Sequence, residues 1–213
     1  MNEVRNHAII QETGIKIPKL LEVIQIDGKW AIVTEFIQGE TLSHLMKDHP
    51  ENKDMYIGMM IDLQLQFLAL SGTRLNKMKD QIDRRICNSN LSATTRYHLH
   101  VALEEMLRDE VVCHGDYMPS NVILAEDGSL YIVDWSHAAQ GNALVDVART
   151  YLLFWMRGGI DNSKRYLDLF CKKTNIAKEK ILAWMPIVAA SEFTRCDEKE
   201  QEFLLSWIND IDL

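Results

Sequence analysis

The stretch that most constrains how this chain can fold is residues 111–136, VVCHGDYMPSNVILAEDGSLYIVDWS. Within it, two short apolar runs flank an Asp-Gly turn, a pattern that is typical of a β-hairpin. Asn121 stands where the first strand begins, and Asp134 stands where the second strand ends. Antiparallel pairing therefore predicts that these two side chains lie at the same end of the hairpin.

The polar residues of this stretch predict a site for a metal ion and a proton acceptor. Asp116 lies in the loop before Asn121, and His114 lies two residues before Asp116. Carboxylate and amide oxygens suit Mg²⁺, which completes its shell with water and phosphate oxygens. A carboxylate that the metal does not need can accept the proton of an attacking hydroxyl. These groups favour phosphoryl transfer, in which a protein mainly positions groups and offsets charge.

The order and spacing of these residues carry a family resemblance. H-G-D-x-x-x-x-N at 114–121, then an apolar strand, a turn and I-V-D-W at 132–135, resembles the aminoglycoside phosphotransferase and choline kinase-like family. That family is related to the protein kinases, whose H-R-D-x-x-x-x-N and D-F-G motifs are analogous. The resemblance implies that Asp116 is the catalytic base, that His114 braces the loop, and that Asn121 and Asp134 bind Mg²⁺.

A second hairpin is predicted nearer the N-terminus. The runs LLEVIQI at 20–26 and WAIVTEF at 30–36 flank Asp27-Gly28, a hairpin turn signal. The resemblance implies that the return strand leads into a hinge between two lobes, where backbone groups of Glu35, Phe36 and Ile37 bind the adenine of ATP.

These features predict an α+β fold of the protein-kinase-like, two-lobed type. Residues 1–38 would form a remnant N-terminal lobe, a helix plus the hairpin with the hinge at its end. Residues 39–213 would form a mostly helical catalytic lobe that contains the hairpin segment 111–136. Apolar periodicity predicts helices in both parts, at 2–13, 54–70, 75–86, 93–108, 147–157, 164–173, 178–190 and 198–211.

The chain departs from the family pattern before its first helix. A full member has a Gly-rich hairpin over the phosphates and a strand whose lysine holds them, and neither occurs in this sequence. A truncated sequence, a minimal protein and a degenerate relative are three explanations that the sequence leaves open.

Composition excludes some classes of function. A net charge of −8 and a pI near 5.4 argue against binding nucleic acid through phosphate contacts. The four cysteines are widely spaced, so we expect neither a disulfide framework nor a zinc site but a reducing cytoplasm. The first residues lack the apolar run of a signal peptide, and no stretch approaches membrane-spanning length.

The sequence thus predicts an ATP- and Mg²⁺-dependent kinase that phosphorylates a hydroxyl of a small molecule, aminoglycoside- or choline-like. The acceptor would be cationic if the acidic net charge has a role at the site. The alternative is a pseudokinase-like protein that binds a nucleotide or partner without catalysis. A metallophosphoesterase-like site is a weaker hypothesis, because it needs more metal ligands, and the other histidines form no such set: His7, His44, His49, His98, His100 and His137.

Overall fold

The computed structural model describes residues 2–105 and 110–209. It begins with helix α1 (Asn2–Gln11) and a hairpin of strands β1 (Leu20–Ile26) and β2 (Lys29–Thr34). The turn residues Asp27 and Gly28 both have positive φ angles, 49° and 76°, which is the backbone of a type I′ hairpin turn. The predicted helix and hairpin are therefore confirmed, although the return strand ends at Thr34.

Two further small sheets hold the central segment. Strand β3 (Gly39–Thr41) pairs with β5 (Val122–Ala125), which pairs in turn with β6 (Leu130–Ile132). Strand β4 (Val111–Cys113) pairs with β7 (Ala139–Gly141) in a separate two-stranded sheet. All of these pairs are antiparallel. The hairpin predicted between 111 and 136 is thus confirmed as β5–β6, and β3 adds a third strand to it.

Helices make up most of the remaining chain. Between β3 and β4 lie α2 (Leu42–Asp48), α3 (Lys53–Leu68), α4 (Met78–Cys87) and α5 (Ala93–Glu105). After β7 come α6 (Ala143–Leu153), a π-helical turn (Phe154–Gly158), α7 (Ile160–Thr174), α8 (Lys178–Leu182), α9 (Met185–Glu192) and α10 (Glu198–Ile208). Residues 106–108 and 210–211 of the predicted helices lie outside the described residues.

Several predicted helix boundaries are wrong by a few residues; α7, for example, begins at 160 rather than at 164. Two of the differences have a local reason. The helix predicted to begin at 147 begins four residues earlier, because the Asn142 side chain accepts a hydrogen bond from the Leu144 amide and caps it. The single helix predicted over 178–190 is two helices, α8 and α9. Pro186 stands in the first turn of α9, where its missing N–H costs no helical hydrogen bond.

The hydrophobic core lies between α3 and the helices of the second half. The α3 side chains Ile57, Met60, Ile61 and Phe67 are completely buried. Met55 of the same helix lies outside the core, with 48% of its surface exposed. Burying a large apolar side chain contributes roughly 1.5–3 kcal/mol, so α3 is a principal support of the fold.

Helix α1 is fastened to the segment that follows β6. The buried amide of Asn6 donates hydrogen bonds to the backbone carbonyls of Trp135 at 3.0 Å, and of Ser136 and Ala138 at 3.3 Å. This contact joins the first helix to the stretch just after Asp134. Within the described residues, no helix is long and apolar enough to cross a lipid bilayer.

Candidate active site

The β5–β6 hairpin brings Asn121 and Asp134 to one end. Val122 pairs with Ile132 in the ladder, and the Val133 amide donates to the Asn121 carbonyl at 3.0 Å. The residues that flank the two strands therefore lie side by side. This is the placement that the Asp-Gly turn and the strand lengths predicted.

His114 links the Asp116 loop to that end of the hairpin. Its Nδ1 accepts from the Asp116 amide at 3.2 Å, and its Nε2 bonds the Val133 carbonyl at 3.0 Å. The ring is completely buried, and burial lowers its pKa to about 4. We assign the neutral form with the proton on Nε2, because this tautomer satisfies both partners. The histidine is a brace between the loop and the strand.

The Asp116 loop is also held by Asn121. The Asn121 amide nitrogen donates to the Asp116 carbonyl at 2.8 Å, which turns the amide oxygen away from the loop. The Asp116 carboxylate is 15% exposed, and its Oδ1 lies 3.2 Å from Nη1 of Arg157. Sequence reasoning missed Arg157, because 41 residues separate the pair and no local pattern marks it.

Asp134 has a backbone conformation that is unusual for a residue other than glycine. Its φ of 59° and ψ of 63° are left-handed, a conformation often found at functional sites. Its Oδ1 accepts from the hydroxyl of Ser136 at 2.6 Å and from the amide of Ser136 at 3.4 Å. These bonds fix the carboxylate at the strand end.

Gly115 lies between His114 and Asp116 and is held from the protein interior. Its φ is 77°, and a Cβ at this position would lie 2.6 Å from the His137 carbonyl oxygen, so the loop requires glycine. Its amide donates to Oδ1 of buried Asp146 at 2.8 Å, and its carbonyl accepts from Nε of Arg149. Burial raises the pKa of Asp146 to about 6.

Behind Arg149 lies a buried charge network that sequence reasoning missed. Glu192 of α9 accepts hydrogen bonds from Arg149 at 2.5 Å and from Arg85 of α4 at 3.1 Å. Burial by itself would raise the pKa of Glu192, but Arg149, Arg85 and Arg195 hold it below its ordinary value. The Glu192 side chain is 7% exposed and is paired with arginines inside the protein.

The predicted hinge follows β2. The Glu35 amide donates to the Lys19 carbonyl at 2.8 Å, which anchors the start of this segment. Phe36 is 87% exposed, and Ile37 is half-buried. A role of these residues in adenine binding stays a prediction.

One cavity of the described part of the chain lies away from the Asp116 loop. It has a volume of about 520 Å³ and lies between α4, α5 and β7, lined in part by Lys77, Asp83 and Asn142. Asp116, Asn121 and Asp134 do not line it. We place the site on their convergent polar groups, because chemistry at a hydroxyl needs those groups rather than a large void.

The donor set at the hairpin end fits a magnesium ion. Asn121 offers an amide oxygen, and Asp134 offers a carboxylate, both of which are the hard oxygen ligands that Mg²⁺ prefers. Within the described residues, no histidine or cysteine cluster that suits a softer metal includes Asn121 or Asp134. The fit supports the assignment of these two residues as metal ligands.

Comparison with known proteins agrees with this architecture. The model of the phosphotransferase enzyme family matches residues 1–184. No curated protein sequence matches the chain significantly.

Solved structures share the fold at low sequence identity. A thermostable mutant of aminoglycoside phosphotransferase APH(4)-Ia, without ligand, is 15% identical, with a TM-score of 0.73 over 99% of this chain and 82% of that one. Choline kinase LicA from Streptococcus pneumoniae is 14% identical, with a TM-score of 0.63 over 99% and 79%. An aminoglycoside-3′-phosphotransferase of type VIII is 18% identical, with a TM-score of 0.65 over 89% and 79%.

These likenesses confirm the protein-kinase-like α+β fold that the motif spacing predicted. The family model covers both hairpins, the Asp116 loop and the helices up to the end of α8. The chain therefore belongs to the phosphotransferase enzyme family.

Proposed function

We propose that this chain is an ATP- and Mg²⁺-dependent phosphotransferase that acts on a hydroxyl group of a small molecule. One observation carries the proposal: Asp116, Asn121 and Asp134 converge around buried, neutral His114. A base and two oxygen ligands in one place are what phosphoryl transfer to an alcohol needs.

Each residue then has a role that follows from its contacts. Asp116 accepts the proton of the acceptor hydroxyl, and His114 keeps the Asp116 loop at the strand end. Asn121 and Asp134 hold Mg²⁺, which would neutralise charge on the nucleotide phosphates. Backbone groups of the segment at Glu35, Phe36 and Ile37 bind adenine.

The ligands of related folds support a nucleotide and a small hydroxylated acceptor. One APH(4)-Ia structure is a ternary complex with ADP and hygromycin B, and another holds AMP-PNP and hygromycin B. A LicA structure contains AMP. Any positive group of the acceptor would have to lie away from Arg157, because this cation is already beside Asp116.

We also propose that the reaction takes place in the cytoplasm. Cys87, Cys113, Cys171 and Cys196 form no disulfide bond with one another, as a reducing compartment permits. Cytoplasm is also where ATP and Mg²⁺ would be supplied together.

The proposal is tested by ADP formation from Mg·ATP with choline, hygromycin B and a mixture of hydroxylated metabolites as acceptors. Mass spectrometry would identify the phosphorylated product. We expect Asp116→Asn to lower the rate by about 10²–10⁴-fold, because it removes the general base but keeps the shape of the side chain. Equal rates in the two proteins would contradict the role of Asp116.

A nucleotide-binding protein without transferase activity is the second candidate. It is favoured by the ion pair with Arg157, which occupies the carboxylate that a base must leave open. Mg·ATP binding without product from any acceptor would support this candidate over the first.

A further inference from the structure

The ion pair between Arg157 and Asp116 faces solvent, unlike the other arginine contact of the catalytic loop. The Arg157 side chain is 55% exposed, whereas Arg149 is 8% exposed and bonds Gly115 and Glu192. Arg149 therefore supports the loop from the interior. Arg157 contacts Asp116 from the protein surface.

The local structure fixes the turn that carries Arg157. It lies in the π-helical turn Phe154–Gly158 at the end of α6. Buried Phe154 stacks on Tyr166, with ring centroids 5.2 Å apart, and Trp155 stacks on Phe203 at 3.3 Å. Irregular turns of this kind occur frequently at functional sites. The apolar residues of the turn are anchored, and its arginine is left to face Asp116.

The neighbouring imidazoles supply no positive charge at neutral pH. Burial lowers the pKa of His114 to about 4, and burial together with nearby arginines lowers the pKa of His137. A guanidinium is a permanent cation whose planar fork matches phosphate oxygens. Among the described cations in contact with the catalytic loop, Arg157 is therefore the one suited to an incoming phosphoryl group.

We infer that Arg157 is a catalytic residue that binds the oxygens of the phosphoryl group during its transfer. The inference rests on the proposed function. In the structure, Arg157 pairs with Asp116. When substrates bind, the acceptor hydroxyl takes a place at Asp116, and the guanidinium turns to the phosphoryl oxygens beside it.

The chemical step balances without further reactants. The acceptor oxygen forms a bond to the γ-phosphorus of ATP and gives its proton to Asp116. The bond between that phosphorus and the oxygen that bridges to the β-phosphate breaks, and ADP leaves with the electron pair. Arg157 gains and loses no proton, and it stabilises the negative charge on the oxygens around phosphorus.

Calorimetry with Mg·ADP, with and without aluminium fluoride, tests the inference independently of the acceptor. Aluminium fluoride beside ADP is an anionic mimic of the phosphoryl group in transfer. We expect Arg157→Gln to weaken binding of the aluminium fluoride complex by about 10²-fold, the effect of one electrostatic donor. Its affinity for Mg·ADP alone should stay unchanged. Arg157→Lys keeps the positive charge, so it should bind the aluminium fluoride complex more tightly than Arg157→Gln does.

Arg165→Gln is the matched control. Arg165 is 45% exposed and pairs with Asp54 at 2.5 Å, so it is also a surface arginine in an ion pair, on the next helix. It should bind both complexes like the unmodified chain.

Three results would overturn the inference. In the first, Arg157→Gln binds the aluminium fluoride complex as tightly as the unmodified chain does. In the second, its affinity for Mg·ADP alone falls by the same factor as its affinity for the aluminium fluoride complex. In the third, the unmodified chain fails to bind Mg·ADP at all, which would overturn the proposed function and this inference with it.

Discussion

At the scale of single residues, His114 links the Asp116 loop to the strand end through both of its ring nitrogens. It has a partner on each ring nitrogen, and both partners fit only the neutral ring. Protonation would take away the acceptor that the Asp116 amide uses and would leave a charge without water around it. The loop geometry is therefore coupled to a deprotonated histidine.

The first prediction concerns this proton. Burial lowers the pKa of His114 in the folded chain to about 4, and in the unfolded chain it should lie near 6.5. Between these values only the unfolded chain binds the proton. The contribution to stability is therefore complete above about pH 6.5 and is lost as pH falls toward 4.

His114→Gln should lack this loss, which is on the order of 3 kcal/mol. Urea unfolding of both proteins across that pH range measures it. His49→Gln is the control, because His49 is 55% exposed and its replacement should leave the pH dependence as it is. Parallel stability curves for the unmodified chain and His114→Gln would contradict the account.

The residues of the site divide into those that the sequence predicts and those that it does not. Asp116, Asn121 and His114 lie within eight positions, and a short hairpin brings Asp134 to them, so spacing alone predicts their meeting. Arg157 contacts Asp116 across 41 residues, and Glu192 acts on the loop only through Arg149, which bonds Gly115. Such contacts depend on how the helices pack, and side-chain patterns near each residue do not encode it.

At the scale of elements, three helices are joined behind the Asp116 loop. Arg85 of α4 and Arg149 of α6 both bond Glu192 of α9. A buried carboxylate is favourable here only because the two guanidinium groups offset its desolvation. The network connects the position of Gly115 to the packing of helices that come from distant parts of the chain.

The second prediction tests this network. Glu192→Gln keeps the size of the side chain but leaves the buried charge of Arg149 without compensation. We expect a loss of about 3 kcal/mol in the free energy of unfolding, measured with urea at neutral pH. A loss well under 1 kcal/mol would show that the three helices do not depend on Glu192.

Asp168→Asn is a matched control for charge removal. Asp168 pairs with Lys178 at 3.2 Å, but the two side chains are 68% and 40% exposed. Water screens such a pair, so the change should cost less than about 1 kcal/mol. A loss as large as that of Glu192→Gln would mean that burial is not what distinguishes the two carboxylates.

Turn residues and N-cap residues are the local signals in the sequence that mark where elements begin and end. The turn chemistry of Asp27-Gly28 and Asp127-Gly128 predicted both hairpins, because few backbone conformations can close a short loop. The start of α6 at Ala143 was signalled by Asn142, a good N-cap residue that apolar periodicity alone ignores. The pairing of β3 with β5 has no local signal, since 82 residues separate Thr41 from Ile123.

At the scale of the whole molecule, the N-terminal elements are bound to the catalytic segment. Asn6 of α1 contacts the carbonyls after Asp134, and the Ile132 amide donates to the Lys16 carbonyl at 3.0 Å. The division into a lobe at 1–38 and a lobe at 39–213 stays a prediction. These contacts hold α1 against the end of β6, next to Asp134, the proposed metal ligand.

The fold class was predictable because motif order, spacing and two hairpins all agreed with one family. The sequence could not predict whether the acidic residues lie at the acceptor site, because a net charge does not tell where the charged residues lie. Arg157 puts a cation beside Asp116, while acidic residues such as Asp54 and Asp62 pair with basic residues of α7.

The most direct test of the central claim is calorimetry of ATP binding, with and without Mg²⁺, to the unmodified chain and to Asp134→Asn. Asparagine tolerates the left-handed backbone at this position and can still accept from Ser136, so the change removes mainly the charge of the ligand. We predict Mg²⁺-dependent binding that Asp134→Asn loses. Mg²⁺-dependent binding of equal strength in both proteins, or none in the unmodified chain, would contradict a phosphotransferase site at this hairpin.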